Sequence, residues 1–211
     1  MQSLKKELSI VFKRYKSGGG FTLTEMIVVI TIFVLIVVAV FSAHTLSHRA
    51  YREGERAAEI VQNGRVILER MTREIRQAKE MVTELGDTEA EATSTIEFED
   101  GHTPSLCENL APGSDHYYIR YYLNSQSKEV KRQCRVYVFD PFCATTTYYR
   151  WNATRETTPT TTNPCNLDDK TIGEYVADLG FWGLSLINAS TTLEKEGKSI
   201  NLRTKVYGRN L

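Results

Sequence analysis

The hydrophobic pattern of the chain changes twice and so divides it into three kinds of sequence. From Met26 to Ala43 only Thr31 and Ser42 interrupt a run of apolar residues. Farther along, from residue 50 to residue 82, apolar residues recur at spacings of three and four, which is typical of one face of a helix. Beyond residue 87 short alternating runs and turn residues indicate β-strands.

The apolar run is long enough to cross a membrane as a helix. Eighteen residues at ~1.5 Å each make roughly 27 Å, close to the ~30 Å of bilayer hydrocarbon. No proline occurs between Phe21 and His102. We therefore predict one helix from about Phe21 to Leu85, with Gly86 as its C-terminal stop. Its second half is amphipathic and requires a partner, which we expect to be the head of the same chain; a coiled-coil dimer would explain the same stripe.

The remainder predicts an antiparallel β-sheet head, so the fold class is α+β, with a long N-terminal helix packed on the sheet. The expected strands are Ile96 to Phe98, Tyr117 to Leu123, Val130 to Phe139, Phe181 to Ile187 and Ile200 to Tyr207. Between Cys143 and Cys165 the threonine runs predict an exposed Thr-rich loop, 144–164.

Charge is distributed unevenly, although the chain has 26 basic and 26 acidic residues. The first twenty residues carry five basic groups against Glu7, and the rest carries a net charge of −4. The positive-inside rule then predicts a single-pass protein of the cytoplasmic membrane, with the N-terminus inside and everything after Ala43 outside. A weakly acidic exterior gives no reason to expect nucleic acid as a partner.

The N-terminal segment resembles the class III signal of type IV prepilins and type II secretion pseudopilins. That family has a basic leader ending in glycine, then phenylalanine, then a glutamate four residues later and about twenty apolar residues. The matching residues here are Lys5, Lys6, Lys13, Arg14, Lys16, Gly20, Phe21, Glu25 and the run to Ala43. The resemblance implies cleavage between Gly20 and Phe21 by a prepilin peptidase, followed by N-methylation of Phe21. An ordinary membrane anchor, or a secretory signal cut near Ala39, leaves Glu25 and the glycines unexplained.

Glu25 lies at the edge of the apolar run, where an ionised carboxylate is costly unless it is paired. We expect it to pair with the new Phe21 amine of a neighbouring subunit and so fix the register of assembly. The resemblance implies three kinds of partner besides the peptidase: other pilins or pseudopilins, an inner-membrane assembly platform and membrane lipid. It also implies a pilin fold for the head.

The resemblance extends to minor subunits in particular. Major pilins usually have a kinking proline near the position of Ser42, and this chain has none. The processed length of 191 residues, the four cysteines and the segment Leu68–Ala78 are similar to minor pseudopilins of the J type and related minor pilins. The implied function is a subunit of a tip or priming complex, in a type IV pilus or a type II secretion pseudopilus. The alternative is a single-span anchored extracytoplasmic binding domain that does not polymerise.

These patterns predict four segments. They are a basic leader (1–20), a transmembrane or filament-core helix (21–43), an amphipathic helix (44–85) and the β-rich head (86–211).

All four cysteines fall in the predicted exported part, and an even number there favours two disulfides. Three pairings are possible. We favour Cys107–Cys134 with Cys143–Cys165, because the second closes the Thr-rich loop locally. No two cysteines lie closer than nine positions, which argues against a metal site.

No constellation of catalytic residues is present, so we predict no enzymatic activity, no cofactor and no metal. The chain lacks GxSxG, HExxH, a Gly-rich phosphate loop and CxxC. His44 and His48 form an i,i+4 pair, Asp168-Asp169 resembles part of a Ca²⁺ turn, and two N-glycosylation sequons begin at Asn152 and Asn188. We interpret these as solvated histidines, a polar turn and chance matches.

Overall fold

The computed structural model describes residues 20–100, 116–156 and 161–208. Residues 1–19 of the predicted leader, His102, Cys107 and part of the Thr-rich loop lie outside these ranges. The chain divides into two compact units, one ending at Glu53 and one beginning at Gly54. The elements in chain order are α1 (Leu23–Gln77), β1 (Glu80–Met81), a 3-10 helix (Glu89–Glu91), β2 (Thr95–Glu99), β3 (Tyr118–Asn124), β4 (Glu129–Val138), β5 (Asn163–Gly173), β6 (Val176–Trp182), β7 (Leu186–Lys195) and β8 (Lys198–Tyr207).

The first unit contains the apolar part of α1. Its large apolar side chains from Met26 to Phe41 are all roughly half exposed or more. The two polar residues inside this run are satisfied locally, because the Thr31 and Ser42 hydroxyls donate to the carbonyls of Ile27 and Val38. Among the described residues, α1 is the one helix whose length and composition are sufficient to cross a membrane.

Helix α1 ends eight residues before the predicted Leu85, so that boundary was wrong. The end is marked by a bond from the Ala78 amide to the Ile75 carbonyl, and Lys79 then donates to the Glu99 carbonyl at 3.0 Å. Strand β1 follows immediately and pairs with β2. The backbone of this segment exchanges helical bonds for sheet bonds, and Gly86 is not a helix stop.

The second unit contains two antiparallel sheets, which confirms the α+β class. One sheet has the order β1-β2-β3-β4-β5 and the other β6-β7-β8. At one edge of the smaller sheet, Thr93 exchanges both backbone bonds with Phe181 of β6. The smaller sheet is therefore covered by chain at its β6 edge.

The second half of α1 packs on the inner faces of both sheets, as its amphipathic stripe predicted. The buried residues of the stripe are Ile60, Gly64, Ile67, Leu68, Met71, Glu74 and Ile75. The apolar members contact a core that includes Phe98 and Tyr121 of the larger sheet and Phe181 and Leu193 of the smaller one. Burying each large aliphatic side chain contributes about 1.5–3 kcal/mol to folding.

Gly64 allows close packing here, although glycine weakens an isolated helix. A Cβ at this position would lie 2.8 Å from Leu193 Cδ1 and would also clash with Leu202. The helix therefore approaches β7 and β8 so closely that a larger residue would require both leucine side chains to shift.

Two strand predictions need correction. The single strand predicted for Phe181 to Ile187 is in fact the end of β6 and the start of β7, separated by a turn in which Gly183 has φ +102°. Strand β5 was missed because its residues are mostly polar and lie partly exposed at the sheet edge. It takes up the end of the predicted Thr-rich loop.

The predicted Cys143–Cys165 disulfide is confirmed, with Cα atoms 5.9 Å apart. It ties the segment after β4 to β5. Cys134 is disulfide-bonded as well. Its predicted partner, Cys107, lies outside the described residues, so that pairing stays a prediction.

Candidate functional site

The predicted processing point lies immediately before α1. The Phe21 side chain is 78% exposed. A Cβ placed on Gly20 would meet no other atom within 4 Å. Both residues precede the first helical residue, Leu23, so the bond between them is in accessible, non-helical backbone.

Glu25 is held in a reciprocal cap at the start of α1. Its Oε2 atom accepts hydrogen bonds from the Thr22 amide and the Thr22 hydroxyl, both at 3.0 Å. The Glu25 amide in turn donates to Thr22 Oγ1 at 3.3 Å. This is a capping box, in which the N-cap residue and the third helical residue satisfy each other's amides.

The capping box places a carboxylate next to the residue that would become the N-terminus. The amide that donates a hydrogen bond to the Glu25 carboxylate belongs to Thr22, the residue that follows Phe21. A free amine at Phe21 would be a cation within the same short segment as this anion. The arrangement can therefore stabilise a charged N-terminus, either within one chain or between two chains.

A cluster of charged and polar side chains is buried in the head between α1 and β4. Arg132 Nε donates to both carboxylate oxygens of Glu74, at 2.9 and 3.2 Å, and the Tyr121 hydroxyl donates to Glu74 Oε2 at 2.6 Å. The Arg132 side chain is fully buried and the Glu74 side chain is 5% exposed. The ion pair joins the helix to the sheet away from water.

The environment of this cluster shifts the pKa values of its members. Burial raises the pKa of Tyr121 well above its usual value, and the Glu74 carboxylate raises it further. Burial is the largest single influence on the pKa of Arg132 and lowers it, but the charges and hydrogen bonds of Glu74 and Tyr121 together outweigh burial, so the net shift is upward. Tyr121 therefore remains a neutral donor and Arg132 a cation.

A related cluster lies on the outer face of the larger sheet. Glu97 accepts from Arg135 Nη1 at 3.0 Å and from the Tyr137 hydroxyl at 2.7 Å. Burial, followed by the bond to Glu97, raises the pKa of Tyr137. These contacts join β2 to β4 across β3 and leave the carboxylate engaged with its own chain.

The interpretation of Asp168-Asp169 as a polar turn was wrong, because both residues lie within strand β5 and pair with β4. Their carboxylates are engaged with side chains of their own chain. Asp168 pairs with Lys170 at 3.2 Å, and Asp169 accepts from the Tyr122 hydroxyl at 2.9 Å. Asn166 accepts from Arg135. Among the described residues, no group of three or more histidine, cysteine, aspartate or glutamate side chains is arranged to hold a metal ion.

The other candidates have local explanations. The His44 and His48 rings contact each other edge to face, with centroids 4.4 Å apart. Asn188 lies within β7, and its amide donates to the carbonyls of Trp182 and Leu186 at 3.3 Å. The sequon at Asn188 is therefore part of a strand, whereas Asn152 is exposed in a turn.

Sequence reasoning missed two of these features, and each has a signal. The capping box is visible as threonine followed three residues later by glutamate, just before the apolar run. The buried arginine occupies an inward position in the alternation Val130, Arg132, Cys134, Val136. The helix stripe likewise includes Glu74 between Met71 and Ile75.

Comparisons with known proteins give no relative. A scan against protein-family models, a search of curated proteins and a search of solved structures each return no match to this chain.

Proposed function

We propose that this chain is a minor pilin or pseudopilin, a structural subunit of a type IV pilus or a type II secretion pseudopilus. It would be inserted in the cytoplasmic membrane with its head outside, cleaved before Phe21 and then drawn into a fibre. The single observation that carries the proposal is the N-terminal arrangement. Gly20 and Phe21 lie in exposed backbone, and Glu25 follows on the first turn of a helix whose apolar side chains are exposed.

The exposed apolar helix supports assembly because so large an apolar surface needs a cover. Lipid provides one cover, and the apolar helices of neighbouring subunits provide another. A subunit can therefore move from membrane to fibre without exposing this surface to water. The amphipathic half of α1 remains packed on its own head throughout.

Assembly would use the Glu25 charge in the apolar layer. An unpaired carboxylate there is costly, and pairing it with the methylated Phe21 amine of a neighbour removes that cost. The partners of the proposal are thus a prepilin peptidase, other pilins or pseudopilins, the assembly platform and membrane lipid. Within the fibre we place this subunit beneath the tip, in the priming complex.

The first experiment tests processing. The intact mass and the N-terminal peptide mass are measured for protein from membranes of cells with and without prepilin peptidase. We expect a chain that begins at N-methylated Phe21 only when the peptidase is present. A chain that begins at Met1, or near Val40, in both strains would refute the proposal.

The capping box supports a second candidate, an anchored binding domain that does not polymerise. In that case Glu25 serves only to begin the helix. Two variants separate the roles, because Glu25→Gln keeps an oxygen acceptor and loses the charge, whereas Thr22→Val loses the cap hydroxyl and keeps the charge.

The expected outcomes differ for the two candidates. If Glu25 acts by its charge, Glu25→Gln is processed but is depleted from sheared fibres, while Thr22→Val is incorporated. If Glu25 acts only as a cap, Glu25→Gln behaves as wild type. Immunoblots of membrane and sheared fractions measure the distribution.

A further inference from the structure

Strand β8, Lys198–Tyr207, forms an uncovered edge of the smaller sheet. Within the described residues β8 pairs with β7 alone, and no backbone bond joins it to any other segment. The opposite edge of this sheet is covered by Thr93. An uncovered edge ten residues long presents backbone donors and acceptors that a further strand can pair with.

A cavity lies on each side of this edge, and Thr204 lines both of them. The outer cavity, about 380 Å³, is lined by Trp182, Arg203 and Lys205. The inner cavity, about 450 Å³, lies beside α1 and is lined by Leu68, Glu69, Arg73 and Arg76, among others. The strand register explains the division. Lys205 pairs with Asn188 on the outer face, whereas Thr204 pairs with Ala189, which is buried in the core.

Both cavities carry positive charge that the described part of the chain does not neutralise. Arg73, Arg76 and Lys205 are exposed, and none of them makes an ion pair there. Arg203 is already paired with Glu89 at 2.6 Å. The remaining acidic group, Glu69 in the inner cavity, leaves an excess of two cations around the edge.

We propose that the β8 edge binds an extended acidic segment of a partner protein, which adds to the sheet as a fourth strand. Side chains of an added strand alternate between the two faces of the sheet. Successive acidic side chains would therefore enter the outer cavity near Lys205 and the inner cavity near Arg73 and Arg76. Backbone bonds to β8 would supply affinity, and the cations would select the partner.

The charges also disfavour pairing of β8 with the β8 strand of a second copy of this chain. An identical β8 strand would bring Lys205 and its neighbours against the same cations, and like charges on paired strands are destabilising. Basic residues on an edge protect a sheet from self-association, and the same residues admit an acidic strand. This interface does not depend on processing of the N-terminus.

The test uses the full chain in detergent micelles and a fluorescein-labelled decapeptide of threonine and valine with four glutamates, two on each face. The control peptide has glutamine in place of glutamate. By fluorescence anisotropy at low salt we expect the glutamate peptide to bind at least about tenfold more tightly, with a smaller difference at high salt. Equal binding of the two peptides would overturn the proposal.

Protein variants locate the site. Lys205→Gln and Arg76→Gln should each weaken peptide binding about two- to five-fold, as expected for loss of one exposed ion pair. Arg65→Gln is the matched control, because Arg65 is an exposed arginine of α1 that lines neither cavity. An equal loss in the control variant would mean that binding follows net charge alone and would refute the site.

Peptide N-methylation tests strand addition directly. One set of alternate amides faces β8 and the other faces solvent, so methylating one set should abolish binding and methylating the other should not. Binding that survives both would refute strand addition. Heparin and single-stranded DNA are tested in parallel. One outcome would be that heparin or DNA binds, that Lys205→Gln weakens this binding, and that the peptide does not bind. In that case the edge binds a polyanion and the proposal is wrong.

Discussion

The buried ion pair between Glu74 and Arg132 gives the sharpest prediction about how the head is held together. We consider two single variants, Glu74→Leu and Arg132→Met, and the double variant that combines them. Each replacement is apolar and of similar volume, so each single variant removes one charge and leaves the other buried. The double variant removes both.

The magnitude follows from the geometry. The Arg132 side chain is fully buried, and Glu74 is 5% exposed. Removing one partner of such a pair costs about 3–5 kcal/mol. The cost should be at the upper end for Glu74→Leu, because the Arg132 charge is then uncompensated, and at the lower end for Arg132→Met, because Glu74 keeps Arg70 at 3.5 Å and the Tyr121 hydroxyl. The double variant should cost far less, but it leaves the Tyr121 hydroxyl without its 2.6 Å acceptor, which costs about 1–3 kcal/mol. Adding Tyr121→Phe should recover that loss.

The assay is urea unfolding of the full chain in detergent, followed by tryptophan emission. Both tryptophans, Trp151 and Trp182, lie in the head, so the signal reports unfolding of the head alone. Each free energy of unfolding carries an extrapolation error of roughly 10–15%. The expected differences exceed that error.

The order of the free energies of unfolding shows whether Glu74 and Arg132 act as a pair. We expect wild type and the triple variant to be similar, the double variant to be intermediate, and both single variants to be least stable. If the double variant loses as much as the two single variants together, the pair does not act as a unit and the reasoning is wrong.

Three further predictions use the same assay. Gly64→Ala should destabilise the head by up to about 2 kcal/mol, because an overpacking cost of about 1–3 kcal/mol against Leu193 exceeds the ~1 kcal/mol gain in helix propensity, and an increase in stability would contradict this. Replacing Cys143 and Cys165 together by serine should cost about 3 kcal/mol for a loop of 22 residues, and an unchanged urea midpoint would exclude this. Burial raises the pKa of Tyr118 to about 12. The contribution of the neutral Tyr118 hydroxyl to the free energy of unfolding is therefore complete below pH 10 and is lost between pH 10 and 12, at about 1.4 kcal/mol per pH unit. The urea midpoint should fall less steeply with pH in Tyr118→Phe than in wild type, and identical slopes in the two proteins would contradict this prediction.

Local periodicity was sufficient to predict the helix stripe and the fold class, and the number and spacing of the cysteines were sufficient to predict one disulfide. The stripe from Ile60 to Ile75 predicts which face of α1 packs on the head, because burial repeats with the helical period. The end of α1 at Gln77 could not be predicted locally, since residues 79–83 bond to residues of β2 that lie 14 to 20 positions farther along the chain.

Strand β5 and the buried charges depend on tertiary context in the same way. The polar sequence Asn163–Gly173 becomes a strand because β4 offers it a long edge to pair with. Arg132 is tolerated in the core only because Glu74 and Tyr121 meet it from other elements. In contrast, the capping box of Thr22 and Glu25 is local and was available from the sequence.

The capping box also has a consequence for the timing of maturation under the proposed function. Proteases cleave extended backbone, and the first turn of α1 begins only two residues after the bond between Gly20 and Phe21. The bond itself lies in non-helical backbone, but a peptidase that also binds the residues after the bond would need this turn to fray, and a cap contributes about 1 kcal/mol against fraying. Under the proposed function, the Thr22–Glu25 contact would then slow cleavage, and the residue proposed to order assembly would also limit the supply of mature subunits.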